Sequence, residues 1–365
     1  MYICPRASNC LLKIIKHFEQ YFNRLSVYLP ANICYTFPLS LTYSKARIRL
    51  YDIDFENLYP NFSQISEEIR KSSEKDEFII FVCVIPYGNW EDQEISKNRS
   101  LIKKIFGDSI FIIWDCALTL LDKNKLSYIH NNLTEKEGYI FSFSYAKPLE
   151  LGFGSILFTK LKINHTFPNI IDRNLSSFLI NRVDKIFKTF LAFEKVSSKK
   201  QSFLCYNSEL HIQDTKYIYQ IIENIAKGKD FFLKLRKNDK SSFYELIENR
   251  KKNNQFLKNN LGKIEIENNQ IEFLDKDDLS WRFNIRVKRE LRDKIIDEVF
   301  KNGAFASRLF PNIHKFVNNS EKNKYDNTSK HWQQIINIFN NQNNKYNHII
   351  IKSIEEVLKN ELKLK

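Results

Sequence analysis

Three short segments carry side chains whose types and order suit covalent catalysis. Asp115 directly follows the apolar run Ser109–Trp114. Lys147 stands five residues beyond Ser142, which closes the run starting at Gly138. Gly152-Phe153-Gly154-Ser155 then opens a further apolar segment, Ile156–Thr159. A lysine at the carboxyl edge of a sheet can form a Schiff base with an aldehyde, provided that its amine is neutral; burial beside a cationic ring system lowers its pKa to that end. Where the aldehyde is pyridoxal 5'-phosphate (PLP), an acid must keep the ring nitrogen protonated so that the ring can act as an electron sink. Taken singly, Lys147 reads as one more surface lysine, Asp115 as a helix cap and Ser142 as a strand-end serine. Their common register favours chemistry.

Such residues need strands to aim them. Phe78–Ile85 is a continuous apolar run rich in β-branched residues, and Ser109–Trp114 and Gly138–Phe141 are similar, which suits strands covered on both faces. Ser26–Leu29 and Arg47–Tyr51 are shorter strand candidates. Helical spacing falls at Leu11–Phe22, Ser63–Ser72 and Ser96–Phe106, so strands and helices alternate as in an α/β fold around a mostly parallel sheet. Open sheets of this kind bind ligands just past their strands' carboxyl ends, where Asp115, Ser142 and Lys147 fall. Helices are predicted at Asn174–Glu194, Thr215–Ala226 and Ser241–Asn260. Strands follow at Lys263–Glu267, Gln270–Leu274 and Trp281–Val287, then helices at Glu290–Asn302 and Asn347–Leu362. This grouping predicts a smaller α+β unit, with residues 1–238 as the large unit and 239–365 as the small one. The stretch Asn318–Lys330 reads as a surface loop.

The chain has 365 residues, 43% hydrophobic and 27% charged, enough for a buried core and against disorder. Its six cysteines form no C-x-x-C pair, so neither a disulfide scaffold nor a zinc ribbon is indicated, and a reducing cytoplasm is expected. The seven histidines show no metal spacing, and no metal is assigned. The first residues lack the apolar core and cleavage site of a signal peptide, and no apolar run approaches a membrane span. Lys plus Arg number 57 against 43 Asp plus Glu, a formal charge of +14 that suits an anionic partner. The lysines are spread among asparagines rather than gathered in one tract with exposed aromatics, so a nucleic-acid role is disfavoured.

Further motifs fall in order around the Asp115 and Lys147 segments. They are Arg6-Ala7-Ser8-Asn9-Cys10-Leu11, Leu29-Pro30-Ala31-Asn32-Ile33-Cys34, Leu50-Tyr51-Asp52-Ile53-Asp54 and Pro86-Tyr87-Gly88. Toward the end come Arg282-Phe283-Asn284-Ile285-Arg286-Val287, Gly303–Pro311 and Ile335-Ile336-Asn337-Ile338. Together they resemble the DegT/StrS family of PLP-dependent sugar aminotransferases, over nearly the whole chain. The resemblance implies an aspartate aminotransferase-like, three-layer large domain with a mostly parallel sheet and a smaller α+β domain. It implies that Lys147 carries the cofactor and moves the proton, and that Asp115 pairs with the pyridinium nitrogen. Ser142, with Arg6, Ala7 and Ser8 at a helix start, would bind the phosphate. Cys34 would stand at the ring-stacking position. The implied substrates are a keto-sugar, nucleotide-linked, and an amino-acid donor such as glutamate, with the site at a homodimer interface. The chain departs from the family pattern at Leu118, where Gln or His is usual, at Gly154-Ser155, at Pro5 and at Cys34. Asn174 and Asn181 are candidates for the asparagine that a partner subunit donates. The departures leave open a PLP-fold protein with a degraded site that serves as a binding or assembly partner.

Overall fold

A computed structural model describes residues 1–4, 6–34, 36–41, 43–71, 77–143, 147–148, 154–163, 243–268, 270–276, 280–314, 324–340 and 344–363. Seven strands form the first sheet: β1 (Tyr2–Cys4), β2 (Leu25–Pro30), β3 (Arg47–Tyr51), β4 (Phe78–Val84), β5 (Ile110–Asp115), β6 (Glu137–Ser142) and β7 (Ser155–Thr159). Their order is β1-β7-β6-β5-β4-β2-β3. β3, β2, β4, β5 and β6 run parallel, whereas β7 is antiparallel to both β6 and β1.

Alternation along the apolar strands explains the three layers. Ile80, Val82, Phe111, Ile113 and Ile140 pack on one face with Leu11, Ile14, Ile15 and Phe18 of α1 (Ala7–Phe18) and with Phe37 and Leu41 of α2 (Thr36–Leu41). Phe81, Cys83, Ile112, Trp114 and Tyr139 take the other face. There they meet Ile65 of α3 (Phe62–Lys71), Ile95 and Ile102 of α4 (Asp92–Phe106) and Ile129 of α5 (Lys123–Asn132). Both faces being covered, the strands need no polar alternation. α4 places Asp92 and Glu94 in its first turn and Lys103 and Lys104 in its last, matching the helix dipole at both ends. The Asp122 carboxylate accepts from the Lys125 N–H at 2.9 Å and so starts α5.

A second, antiparallel sheet has the order β10-β11-β9-β8, from β8 (Ile271–Phe273), β9 (Phe283–Val287), β10 (Ala306–Ser307) and β11 (Ile335–Ile338). Its core joins Leu257, Leu261 and Ile264 of α6 (Phe243–Asn268), Leu291, Ile295 and Val299 of α7 (Arg289–Lys301), and Ile350, Ile354 and Leu358 of α9 (Asn344–Lys363). α8 (Asp326–Gln334) lies toward the first sheet, because buried Asp52 accepts from the N–H groups of Asn327 (3.0 Å) and Thr328 (2.8 Å). The Thr328 hydroxyl donates to the same carboxylate at 2.6 Å.

Three sequence expectations are corrected. Lys263–Glu267 is not a strand but the last part of α6, since Leu257, Leu261 and Ile264 are buried at helical spacing and carry the helix through it. The first helix spans Ala7–Phe18 rather than Leu11–Phe22, and Phe22 instead stacks on Phe78 beyond its end. Asp326–Lys330 is helical rather than loop, held at its start by Asp52. The helices expected at Asn174–Glu194 and Thr215–Ala226, the candidates Asn174 and Asn181 and the boundary at 238 lie outside the described residues.

Candidate active site

The parallel strands end together at Pro30, Tyr51, Val84, Asp115 and Ser142, and that edge carries the candidate residues. Asp115 is the last residue of β5, in register with Val84 and Ile140, and only 6% exposed. Its Oδ1 accepts the Ala117 N–H at 3.0 Å. Burial strips water from the carboxyl and raises its pKa to about 6; the Ala117 bond and the charge of Lys147 oppose the rise.

Lys147 is half-buried, and its charge acts on Asp115. Burial lowers its pKa and Arg282 pushes the same way, while Cys34 and Asp115 oppose. Cys34, just past β2, is also half-buried, with its Sγ 3.3 Å from the Thr36 hydroxyl. Residues 34, 115 and 147, far apart in sequence, therefore lie within one electrostatic neighbourhood. The fold produces this by bringing the ends of β2 and β5 and the segment after β6 to one edge.

A second group gathers on the neighbouring strands β6 and β7 and at the start of α1. Ser142 is buried and pairs with Ser155, which pairs in turn with Cys4. The Ser155 hydroxyl donates to the Cys4 carbonyl at 3.0 Å and lies 3.2 Å from the Cys10 Sγ. This ties the first turn of α1 to the strand beside Ser142. Amides of a helix's first turn have no acceptor inside the helix and favour an anion. Here that turn holds no acidic residue, Arg6 is its N-cap without a side-chain bond, and Ala7 and Ser8 are buried. The Arg6 side chain is exposed, so it flanks this turn rather than being packed within it.

Gly88 fixes the rim. Its φ of +88° suits glycine, and a Cβ there would lie 2.1 Å from the Leu118 carbonyl oxygen. Leu118 is buried with Ile53, Leu58, Tyr87, Trp281 and Ile335, where the two sheets' units meet. The Tyr87 hydroxyl crosses that junction to the His331 Nε2 at 2.8 Å. Burial pushes the His331 pKa down to about 3, with Arg286 adding to the fall, so the ring is neutral there.

Sequence reading assigned no role to Arg282, Asp52 or His331. Each is buried through partners more than 200 residues away or on another strand. The local signal was limited to two charged residues, Arg282 and Arg286, within the otherwise strand-like run from Trp281 to Val287. Gly152 and Phe153 lie outside the described residues, and Gly154 keeps a φ of +94°.

No protein-family model matches the sequence, and no curated protein matches it. Solved structures match along almost its full length. DesV of S. venezuelae, solved with a ketimine intermediate, is 12% identical with a TM-score of 0.63, covering 98% of this chain and 84% of that one. A DegT DnrJ EryC1 StrS aminotransferase from Brucella abortus is 12% identical with a TM-score of 0.58, covering 97% and 84%. The E. coli GDP-4-keto-6-deoxy-D-mannose-3-dehydratase with bound hydrated PLP is 13% identical with a TM-score of 0.58, covering 98% and 87%. The chain thus has the three-layer α/β fold of PLP-dependent aminotransferases, as its motifs led us to expect. Among the described residues no helix is long and apolar enough to cross a membrane.

Proposed function

We propose that this protein is a PLP-dependent aminotransferase that passes an amino group from an amino acid to a keto-sugar, which is nucleotide-linked. The observation that carries the reading is a buried acid, Asp115, at the sheet's carboxyl edge within the charge influence of Lys147, on a fold that also presents an acid-free helix start. The residues fit the cofactor. Asp115 is a buried acid with no bonded cation among the described residues, so a protonated ring nitrogen supplies the partner it lacks. The first amides of α1, together with Ser8 and Ser142, suit a phosphate. When bound, PLP supplies an aldehyde and an electron sink through which an amino group can leave one carbon and arrive at another.

Lys147 would hold the cofactor and would take up and return a proton at Nζ. Its depressed pKa suits that duty. Asp115 would keep the proton on the ring nitrogen. Cys34, half-buried at the same edge, would stand at the ring-stacking position that the resemblance implies. Residues 1–238 would form the cofactor-binding unit and 239–365 the unit that closes over the substrate, with the site at a homodimer interface in the cytoplasm. The diphosphate of a nucleotide-linked sugar gives the surplus of 57 Lys and Arg over 43 Asp and Glu a use.

One observation favours the second reading, a degraded site in a binding or assembly partner. Leu118 is packed into an apolar cluster and offers the ring's phenolic oxygen no side-chain partner. The two readings separate when the PLP-loaded protein is incubated with L-glutamate and a panel of nucleotide-linked keto-sugars. An amino-sugar product seen by mass spectrometry supports the transaminase. Full occupancy by PLP with no turnover of any donor supports the degraded site.

A further inference from the structure

Two of the cysteines stand on either side of the helix start described above. Cys4 ends β1, Cys10 closes the first turn of α1, and Arg6, Ala7 and Ser8 lie between them. Both belong to one core cluster, Cys4 5% and Cys10 0% exposed. Ser155 fixes their approach. It is in register with Cys4, donates to the Cys4 carbonyl at 3.0 Å and lies 3.2 Å from the Cys10 Sγ. The two thiols hydrogen-bond to each other. A disulfide needs Cβ atoms roughly 3.5–4.5 Å apart, which thiols already in contact on adjoining elements can meet with a small movement.

The pair is chemically unequal. The Cys10 thiol donates to Cys4 and lowers its pKa, burial opposes, and the charge of Lys13 lowers it further; burial raises that of Cys10. Lys13 lies beside β1, its Nζ 5.3 Å from the Tyr2 ring centroid. Cys4 is therefore suited to attack and Cys10 to resolve. Access comes through β1, a three-residue strand at the edge of the sheet that pairs with β7 alone among the described residues. Such short edge elements open locally without global unfolding. Cys116 also feels Cys83, but both are fully buried at central strands, and burial and Asp115 push both thiols up, which keeps them protonated.

We propose that Cys4 and Cys10 are a redox-active pair whose disulfide weakens the hold of the α1 turn on a phosphate. The Cys4 thiolate attacks one sulfur of a low-molecular-weight disulfide such as glutathione disulfide and expels one thiolate. Cys10 then attacks the Cys4 sulfur of the mixed disulfide and expels the second. The two cysteines give up two electrons and two protons, and the small disulfide leaves as two thiols. Closing the bond draws Cys10 off the Ser155 hydroxyl toward β1 and carries the first-turn amides with it. The effect on phosphate rests on the aminotransferase reading above; formation of the bond does not.

The full chain is equilibrated in glutathione buffers from reducing to oxidising, alkylated and mapped by peptide mass spectrometry. The reduced and oxidised forms are then titrated with PLP and with pyridoxal, which lacks the phosphate. A Cys4–Cys10 link is expected, with PLP affinity lowered by about fivefold, the size of one displaced helix-terminal charge interaction. Pyridoxal affinity should not change, and reductant should restore PLP affinity. Cys10→Ser should stop at a mixed disulfide on Cys4. Both thiols remaining reduced in oxidising buffer overturns the proposal, as does a Cys4–Cys10 link with PLP affinity unchanged or with both ligands weakened equally. If the variant does not fold, the wild-type map and titrations decide alone. Failure of the reduced protein to take up PLP would defeat the aminotransferase reading itself, a result distinct from loss of affinity on oxidation.

Discussion

Replacing Asp115 by Asn should stabilise the cofactor-free protein at neutral pH. The carboxyl is buried at the end of β5 and its pKa is raised from 3.8 to about 6, chiefly by lost hydration. Below about pH 4 the folded and unfolded chains both hold the proton and there is no penalty. Between about pH 4 and 6 the unfolded chain gives it up while the folded chain keeps it, so stability falls as pH rises. Above about pH 6 the full penalty applies, about 3 kcal/mol at 1.36 kcal/mol per pH unit. Asn has the same shape and can still accept the Ala117 N–H through its oxygen. Urea denaturation of wild type and Asp115→Asn from pH 4 to 8, with equal m-values, measures the difference. The variant should be more stable by about 3 kcal/mol at pH 7.5, with the gap closing toward pH 4. A variant that is less stable at pH 7.5, or a gap independent of pH, would refute the claim that Asp115 is a buried acid held without its partner.

Other expectations follow from close contacts. Gly88→Ala forces a Cβ against the Leu118 carbonyl at a positive φ and should cost about 3 kcal/mol or more, read as a lower urea midpoint. Asp52→Ala strips the Asn327 and Thr328 amides and the Thr328 hydroxyl of their acceptor and should destabilise by about 3 kcal/mol, with earlier proteolysis around α8. Glu137 is 1% exposed and accepts from Arg99 Nε at 2.9 Å and from Trp114 Nε1 at 3.0 Å. Arg99→Met leaves that carboxylate buried without its cation and should cost about 3–5 kcal/mol, whereas an unchanged melting temperature would show the pair to be dispensable.

The parallel sheet was legible because strands covered on both faces leave unbroken apolar runs; Arg47–Tyr51 was read to the residue. Elements held by distant partners were not. β1 is three residues long and exists by pairing with β7, and α5 buries little more than Ile129 along its length. α8 starts in an Asn- and Lys-rich stretch, and Asp52, more than 270 residues earlier, supplies its first acceptor. At Lys263–Glu267 the alternation K-I-E-I-E mimics a strand, and only the phase set by Leu257 and Leu261 reveals the helix. Asp115, Lys147 and Ser142 could be chosen because they follow apolar runs. Arg282 could not be assigned a role, since its burial is a property of three dimensions.

The central claim is that Lys147 carries PLP. The purified protein is mixed with PLP, reduced with borohydride and digested, and the peptide bearing the reduced cofactor is identified by mass spectrometry, beside Lys147→Ala. The account predicts one labelled peptide, modified at Lys147, and none from the variant. Labelling at other lysines, or equal labelling of the variant, would contradict it.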